Sequence, residues 1–302
     1  MINPKISIII PVFNSEKYIH ICLDSVLSQT FKNYECIIIN DCSSDNSGKI
    51  LDEYSRKDER IKIINNKENK GSSLSRRIGF EMSSGEFIQF VDSDDWIAPD
   101  TLEKLYNKAI SEDCDLLIFN VSYIDKDNNI KIIKQDHTSS EKIYIIRKII
   151  YNEIKTYLFN KFIKRELLSI INFPVYSKSE DYYITIQYIY NAEKICYIDD
   201  YLYYYRYNET SLTNNNDRKI KSHIEENKNW CLIIEYLKEK YIKLNIFEPL
   251  LSNRINKLKY LYSQDKDLKD LKELFYIYPE SGFFRWQIYF YIKSLYKKLK
   301  KI

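Results

Sequence analysis

Glycine and proline are scarce in this chain, with 5 and 6 residues respectively in 302. No G-x-G-x-x-G follows the first apolar run, which argues against a dinucleotide dehydrogenase. No G-x-x-x-x-G-K-[ST] occurs either, which argues against a P-loop. The six cysteines, Cys22, Cys36, Cys42, Cys114, Cys196 and Cys231, form no C-x-x-C pair. Their scatter suits neither a zinc site nor a disulfide framework, so a reducing, cytoplasmic setting is expected. No apolar run reaches membrane-spanning length. The run Ile6 to Val12 is interrupted by Ser7, ends at Pro11 and lacks a basic leader, so it reads as a strand rather than a signal peptide. A net charge of +3 is too small to imply a nucleic-acid partner. The three histidines, His20, His137 and His223, fall in no chemically suggestive pattern and read as structural.

What is present is an ordinary globular apolar content of 44% and enough length for a large core in one domain or two. The chain is organised around Glu86-Phe87-Ile88-Gln89-Phe90-Val91-Asp92-Ser93-Asp94-Asp95. Its apolar half reads as a buried strand. Its acidic half must meet solvent, a cation or a ligand, because an isolated buried charge is very unfavourable. Upstream, Lys5 to Asn14, Tyr34 to Asn40 and Arg60 to Asn65 read as strands. They alternate with helices expected from a Ser15 cap to about Gln29, from Asn46 to Lys57 behind Asp45, and from Ser72 to Met82. This alternation predicts an α/β fold with a largely parallel sheet and right-handed crossovers. Further on, a helix from Asp100, a strand from Asp115 to Tyr123 and a turn at 125–129 are expected. Helices at 140–151, 164–171 and 179–191 follow, with short strands at 196–198 and 202–205. From about 215 the pattern is helical, broken near Pro249 and Pro279, and no internal repeat is visible.

Ligands of open α/β sheets bind at the C-terminal strand ends. Pro11-Val12-Phe13-Asn14, Asp41 and the Asp92/Asp94 pair all lie at such ends, so they can converge on one rim. Two carboxylates one residue apart suit a hard divalent cation completed by phosphate oxygens. Asp41, an acceptor only, can read a base with a ring N–H such as uracil or guanine, and Phe13 can lie against that base. Arg76 adds positive charge suited to a diphosphate. Each has a plainer reading, as a solvated acidic turn, a helix cap or a surface charge, and a lone D-x-D favours the plainer one.

The motifs taken together resemble the family 2 glycosyltransferases of the GT-A fold. Ile8-Ile9-Ile10-Pro11-Val12-Phe13-Asn14 is similar to the family's opening "I-I-P-V-Y-N", and Leu23 to Thr30 to its first helix. Asn40-Asp41-Cys42-Ser43-Ser44-Asp45 resembles "D-D-G-S-T-D". Asn69-Lys70-Gly71 through Gly79 resembles "N-x-G-x-x-x-A-R-N-x-G", and Asp92-Ser93-Asp94-Asp95 the D-x-D segment. The match is densest over residues 5–105. It continues in Phe159-Asn160-Lys161-Phe162 ("W-N-K-L"), Ser179-Glu180-Asp181, and Tyr203-Tyr204-Tyr205-Arg206 with Ser211-Leu212-Thr213 ("Y-Y-Y-R…S-I-T"). Departures are Asn40 for the first acid, Cys42 for the usual glycine, and Ser75 and Arg77 around Arg76. The Q-x-x-R-W of processive members is missing.

The resemblance implies a Rossmann-like, mostly parallel sheet flanked by helices over residues 1–214, with a helical C-terminal region at 215–302. It implies a metal-dependent, inverting transfer of sugar from a nucleoside-diphosphate donor, expected to be UDP-linked, to an acceptor hydroxyl on a glycan, lipid-linked glycan, wall polymer or protein. Pro11, Phe13 and Asp41 would hold the base, Arg76 would lie near the base or diphosphate, and Asp92 would bind ribose beside Ser93. Asp94 would coordinate Mn²⁺ or Mg²⁺. Asp181 would be the general base, with Glu180 the next candidate. Lys161, Arg206 and Ser211 would contact the donor. A non-catalytic sugar-nucleotide or glycan binder is the alternative, against which the intact Asp41, Asp92, Asp94 and Asp181 set argues. A nucleotidyltransferase would need a glycine-rich basic loop where Asn14-Ser15-Glu16 stands. Aromatic and basic residues mix along 283–302, which suits peripheral contact at the inner membrane face or a structural tail.

Overall fold

The structure, a computed structural model, describes residues 3–135, 139, 141–176, 178–208 and 219–240. The chain divides into two compact units, Met1–Lys219 and Ile220–Ile302. The sequence expectations for 283–302, the breaks near Pro249 and Pro279, His137 and Ser211 lie outside the described residues.

The first unit opens with alternating strands and helices: β1 (Ile6–Val12), α1 (Ile19–Leu27), β2 (Tyr34–Asn40), α2 (Ser47–Lys57), β3 (Ile61–Asn65), α3 (Ser72–Met82) and β4 (Phe87–Phe90). There follow β5 (Trp96–Ile97), α4 (Thr101–Glu112), β6 (Leu116–Ile124), β7 (Ile130–Ile133), α5 (Lys142–Ile150), β8 (Lys161–Lys164), α6 (Arg165–Ser169), α7 (Glu180–Asn191) and β9 (Ile195–Arg206). The strands form one nine-stranded sheet in the order β3-β2-β1-β4-β8-β6-β9-β5, with β7 beside β6. Every residue of β2, and all of β1 except Pro11, is buried, as strands covered by helices on both faces require. In the second unit the described helix is α8 (Lys219–Glu239), with Trp230, Ile233 and Leu237 on successive turns. Among the described residues no helix is long and apolar enough to cross a membrane.

The parallel block β3-β2-β1-β4 follows the expected alternation. Past β4 the sheet is mixed. The short strand β8, not anticipated from the sequence, runs antiparallel between β4 and β6, pairing Ile88 with Ile163 and Leu117 with Phe162. The two short strands expected at 196–198 and 202–205 are one strand, β9, whose pairing with β6 shifts register at Asn120. Helix α1 begins at Ile19 rather than at Ser15, whose side chain is used elsewhere, while Asp45 Oδ1 does accept the Ser47 N–H at the start of α2. Gly79 lets α3 press on β1, since a Cβ there would lie 2.4 Å from Ile9 Cγ2. That close approach sets Arg76, one turn earlier, over the end of the sheet.

The cysteine expectation needs correction. Cys114 and Cys196 form a disulfide, with Cα atoms 6.0 Å apart and a sequence separation of 82. The parallel pairing of β6 with β9, which opposes Leu117 to Cys196, brings them together. Local spacing cannot reveal such a pair, so the cysteine pattern gives no support to a reducing compartment.

Candidate active site

The floor of the site is the rim where β2, β1 and β4 end side by side. Val12 lies opposite Asn40 and Ile9 opposite Phe90, so the loops after all three strands leave the sheet together. The loop after β1 presents Phe13, 49% exposed, beside the partly buried Pro11. Asn14 and Cys42 both adopt left-handed backbones, at φ 48° and 62°. Asn14 Oδ1 accepts the Ser44 N–H at 2.8 Å, locking the first two loops together. Cys42 stands where the resembling motif has glycine, and it keeps the glycine-like conformation.

Asp41 is 3% exposed and turned into the protein. Its carboxylate accepts from Asn66 Nδ2 at 2.8 Å, the Lys70 N–H at 2.9 Å and the Gly71 N–H at 2.8 Å. Expected as an acceptor for a base, it already accepts three hydrogen bonds within the fold, of the roughly four a carboxylate can take. It holds the loop that leads into α3, because the backbone N–H groups ahead of that helix need acceptors once buried. Gly71, at φ 83°, makes the turn that aims them.

Arg76, expected near the base or diphosphate, is buried beside the D-x-D turn. It is 7% exposed, with Nη2 2.7 Å from Asp92 Oδ1 and Nη1 3.2 Å from Glu180 Oε1. Burial opposes its charge, but the carboxylates of Asp92 and Glu180 outweigh that and hold it well above the usual guanidinium range. The reason lies in the fold: α3 and the start of α7 bring the guanidinium against the two carboxylates, its ion-pair partners among the described residues.

At the turn after β4, Asp92 and Asp94 lie on the open side and Ser93 on the other. Ser93, expected beside the donor, is buried, with its Oγ 2.6 Å from Ser15 Oγ, a brace to the loop before α1. Alternation of side-chain direction along the turn accounts for this. Asp94 Oδ2 accepts from Asn208 Nδ2 at 2.9 Å. Burial pushes the Asp94 carboxyl up and Asp92 adds to it, against the Asn208 hydrogen bond. Two crowded carboxylates of which one resists ionisation fit a hard divalent cation, whose charge would relieve both effects. Asp94, with Asp92 beside it, would hold such an ion, and substrate phosphate oxygens would complete its shell. Among the described residues the one cluster of three possible ligands is Glu112, Cys114 and Cys196, whose sulfurs are joined and so supply no thiolates.

The far wall is the start of α7. Glu180 is buried and accepts from Ser72 Oγ at 2.6 Å as well as from Arg76. Asp181, half-buried, accepts from Thr156 Oγ1 at 2.5 Å. Burial pushes both carboxyls up; Arg76 counters it at Glu180, and Thr156 and Lys161 counter it at Asp181. Of the pair, Glu180 is engaged by two donors and Asp181 is the more accessible.

Lys161, expected to contact the donor, is buried. It is 1% exposed, with Nζ donating to Asn160 Oδ1 at 2.8 Å and to the Tyr157 carbonyl. It belongs to the buried strand β8, so its amine ends behind Asp181, and burial lowers it to about 7 against the pull of that carboxylate. Arg206, at the end of β9, does reach the rim: its Nε donates to the Asp94 carbonyl at 3.2 Å. Its guanidinium lies between the rings of Tyr18 and Trp96, 5.2 and 4.6 Å from their centroids. Sequence reasoning missed Asn66, Thr156, Tyr203 and Asn208. Only Tyr203, within the matched tyrosine run, carried a signal that could have found it.

The rim, the acidic turn and the helix facing it lie together at the C-terminal strand ends, where open α/β sheets bind their ligands. The family described as Glycosyl transferase family 2 matches residues 7–174. Glycosyltransferase GlyA of Streptococcus pneumoniae is 34% identical over 223 residues, 70% of this chain and 32% of that protein. The poly(ribitol-phosphate) beta-glucosyltransferase of Bacillus spizizenii is 34% identical over 205 residues, 67% of this chain and 32% of that protein. The chain thus aligns with about a third of the length of either relative. Among solved structures, S. aureus TarS 1-349 in complex with UDP-GlcNAc superposes with a TM-score of 0.71 at 23% identity, covering 90% of this chain and 79% of that one. The fold is GT-A, and the chain belongs to the family 2 glycosyltransferases.

Proposed function

We propose that this glycosyltransferase moves a sugar from a UDP-linked donor to a hydroxyl of a cell-surface or wall glycan, with inversion and with a divalent cation at Asp94. The observation that carries this reading is the junction at Arg76, which ties the D-x-D turn to the helix bearing Asp181. The turn whose Asp94 would hold a cation on a leaving diphosphate and the helix whose Asp181 would take the proton of an attacking hydroxyl are thus joined at one buried guanidinium. The UDP complex of TarS and the polymer named for the Bacillus spizizenii relative support the donor and acceptor classes.

In this reading Phe13 covers the uracil, Asp92 receives the ribose and Arg206 offers its remaining N–H groups to phosphate. The cation, Mn²⁺ or Mg²⁺, when bound supplies Lewis-acid neutralisation of the leaving diphosphate. Asp181 takes the proton of the acceptor hydroxyl as that oxygen attacks the anomeric carbon; its upward shift makes it a stronger base than a solvated aspartate. One displacement needs no second nucleophile. Glu180, held by Arg76 and Ser72, keeps the start of α7 in place.

The test is a panel of nucleotide sugars assayed for Mn²⁺-dependent donor hydrolysis with the full chain and with Asp94→Ala. The expected outcome is turnover of a UDP-sugar that the variant loses while remaining folded. Equal, metal-independent rates in both proteins would reject the cation assignment.

A further inference from the structure

The turn holding Asp92 and Asp94 is fastened from two sides. From the α1 side, Ser15 meets Ser93, and the Cys22 thiol donates to the Asp92 carbonyl at 3.6 Å. From the β9 side, one hydroxyl does most of the fastening. Tyr203 Oη accepts the Asp92 backbone N–H at 3.0 Å and donates to Asp95 Oδ2 at 2.9 Å. A phenol has a single proton to give, so these two bonds use its donor and an acceptor position together. Asp95 Oδ1 then accepts the Arg206 N–H at 2.8 Å, and the Asp95 N–H closes the turn on the Asp92 carbonyl at 3.1 Å.

Tyr203 is 0% and Asp95 1% exposed, so neither can touch donor or acceptor. A buried carboxylate is costly unless hydrogen bonds and charge compensate it. Here the hydrogen bonds are a hydroxyl and a backbone N–H, and the nearest charges, Asp92 and Asp94, are of the same sign. Packing alone would favour an apolar residue at this position. What the pair achieves is geometric: the Tyr203 hydroxyl grips both ends of a four-residue turn, and Asp94 sits between the grips.

We propose that Tyr203 and Asp95 are positioning residues of the cation site, setting the turn so that Asp94 meets a divalent ion on the donor diphosphate. The inference rests on the reading of Asp94 as the cation's ligand. Partners behind a metal ligand typically change metal affinity by about 10–100-fold when removed.

The experiment measures Mn²⁺ uptake by the full chain at fixed UDP, from the loss of the free-ion electron paramagnetic resonance signal. Wild type, Asp94→Ala, Tyr203→Phe and Asp95→Asn are compared. Metal-free UDP affinity is measured by calorimetry, and a thermal melt confirms folding. Wild type is expected to take up Mn²⁺ and Asp94→Ala to lose it. Tyr203→Phe and Asp95→Asn should bind Mn²⁺ about tenfold more weakly, with metal-free UDP affinity unchanged. Folded variants with wild-type Mn²⁺ affinity overturn the positioning role and leave Asp94 as ligand. Equal loss of metal-free UDP binding and of Mn²⁺ binding also overturns it, since that is the mark of a general structural role. Uptake by Asp94→Ala equal to wild type overturns the ligand assignment and the proposal with it. Should Tyr203→Phe not fold, Asp95→Asn decides by the same criteria.

Discussion

Arg76 bonds Glu180 across 104 residues of chain, its Nη1 lying 3.2 Å from Glu180 Oε1. Both side chains are buried, and the same guanidinium holds Asp92. Removing one member of a buried ion pair leaves the other charge uncompensated, at about 3–5 kcal/mol. Arg76→Met should therefore lower the unfolding free energy by about that amount in chemical denaturation. Arg76→Met with Glu180→Gln should cost less than the two single changes summed, because the stranded charge is gone. Strict additivity would show that the pair does not couple the D-x-D turn to α7.

Asp181→Asn should keep donor affinity and lose transfer. The amide cannot take the acceptor's proton, a loss of about 10²–10⁴ in kcat. Glu180→Gln should retain far more activity, because Glu180 faces Arg76 and Ser72 rather than the open cleft. Donor KM and kcat measured separately for both variants decide this. A severe loss in Glu180→Gln with a mild one in Asp181→Asn would exchange their roles.

Lys161 makes stability depend on pH. Burial lowers its amine from 10.5 to about 7 in the folded chain. Between those two values the unfolded chain binds more protons, so unfolding free energy rises with pH across that window. Below about 7 the folded protein carries the full penalty of charging the buried amine. Denaturation of wild type at pH 7 and pH 9.5 should show this rise, and Lys161→Met should flatten it. A slope unchanged by the substitution would place the titration on another group.

Cys42 holds φ 62°, a conformation that disfavours residues with a Cβ by roughly 1–2 kcal/mol. Its Sγ donates to the Lys67 carbonyl over a long 3.7 Å. Cys42→Gly should therefore raise the unfolding free energy by about 1 kcal/mol, less the entropy that glycine adds to the unfolded chain. Denaturant titration under reducing conditions checks the sign.

By itself the sequence determined the parallel half of the molecule and the location of the rim. The apolar runs of β1, β2 and β4 and the helices between them repeat with periods that short-range physics dictates. The acids at the strand ends follow from the same reading, since they cannot stay buried without partners. Tertiary structure decided which polar residues face the cleft. Asp41, Ser93, Arg76 and Lys161 all turned inward, because their partners Gly71, Ser15, Glu180 and Asn160 compete with any ligand and are fixed by the fold. Three of those four partners lie 30, 78 and 104 residues away, beyond the reach of any local pattern. The antiparallel strand β8, the Cys114–Cys196 link and the grip of Tyr203 on the acidic turn were hidden for the same reason. Periodicity reports which face of an element is buried, whereas hydrogen bonding between distant elements selects the side chains left free for chemistry.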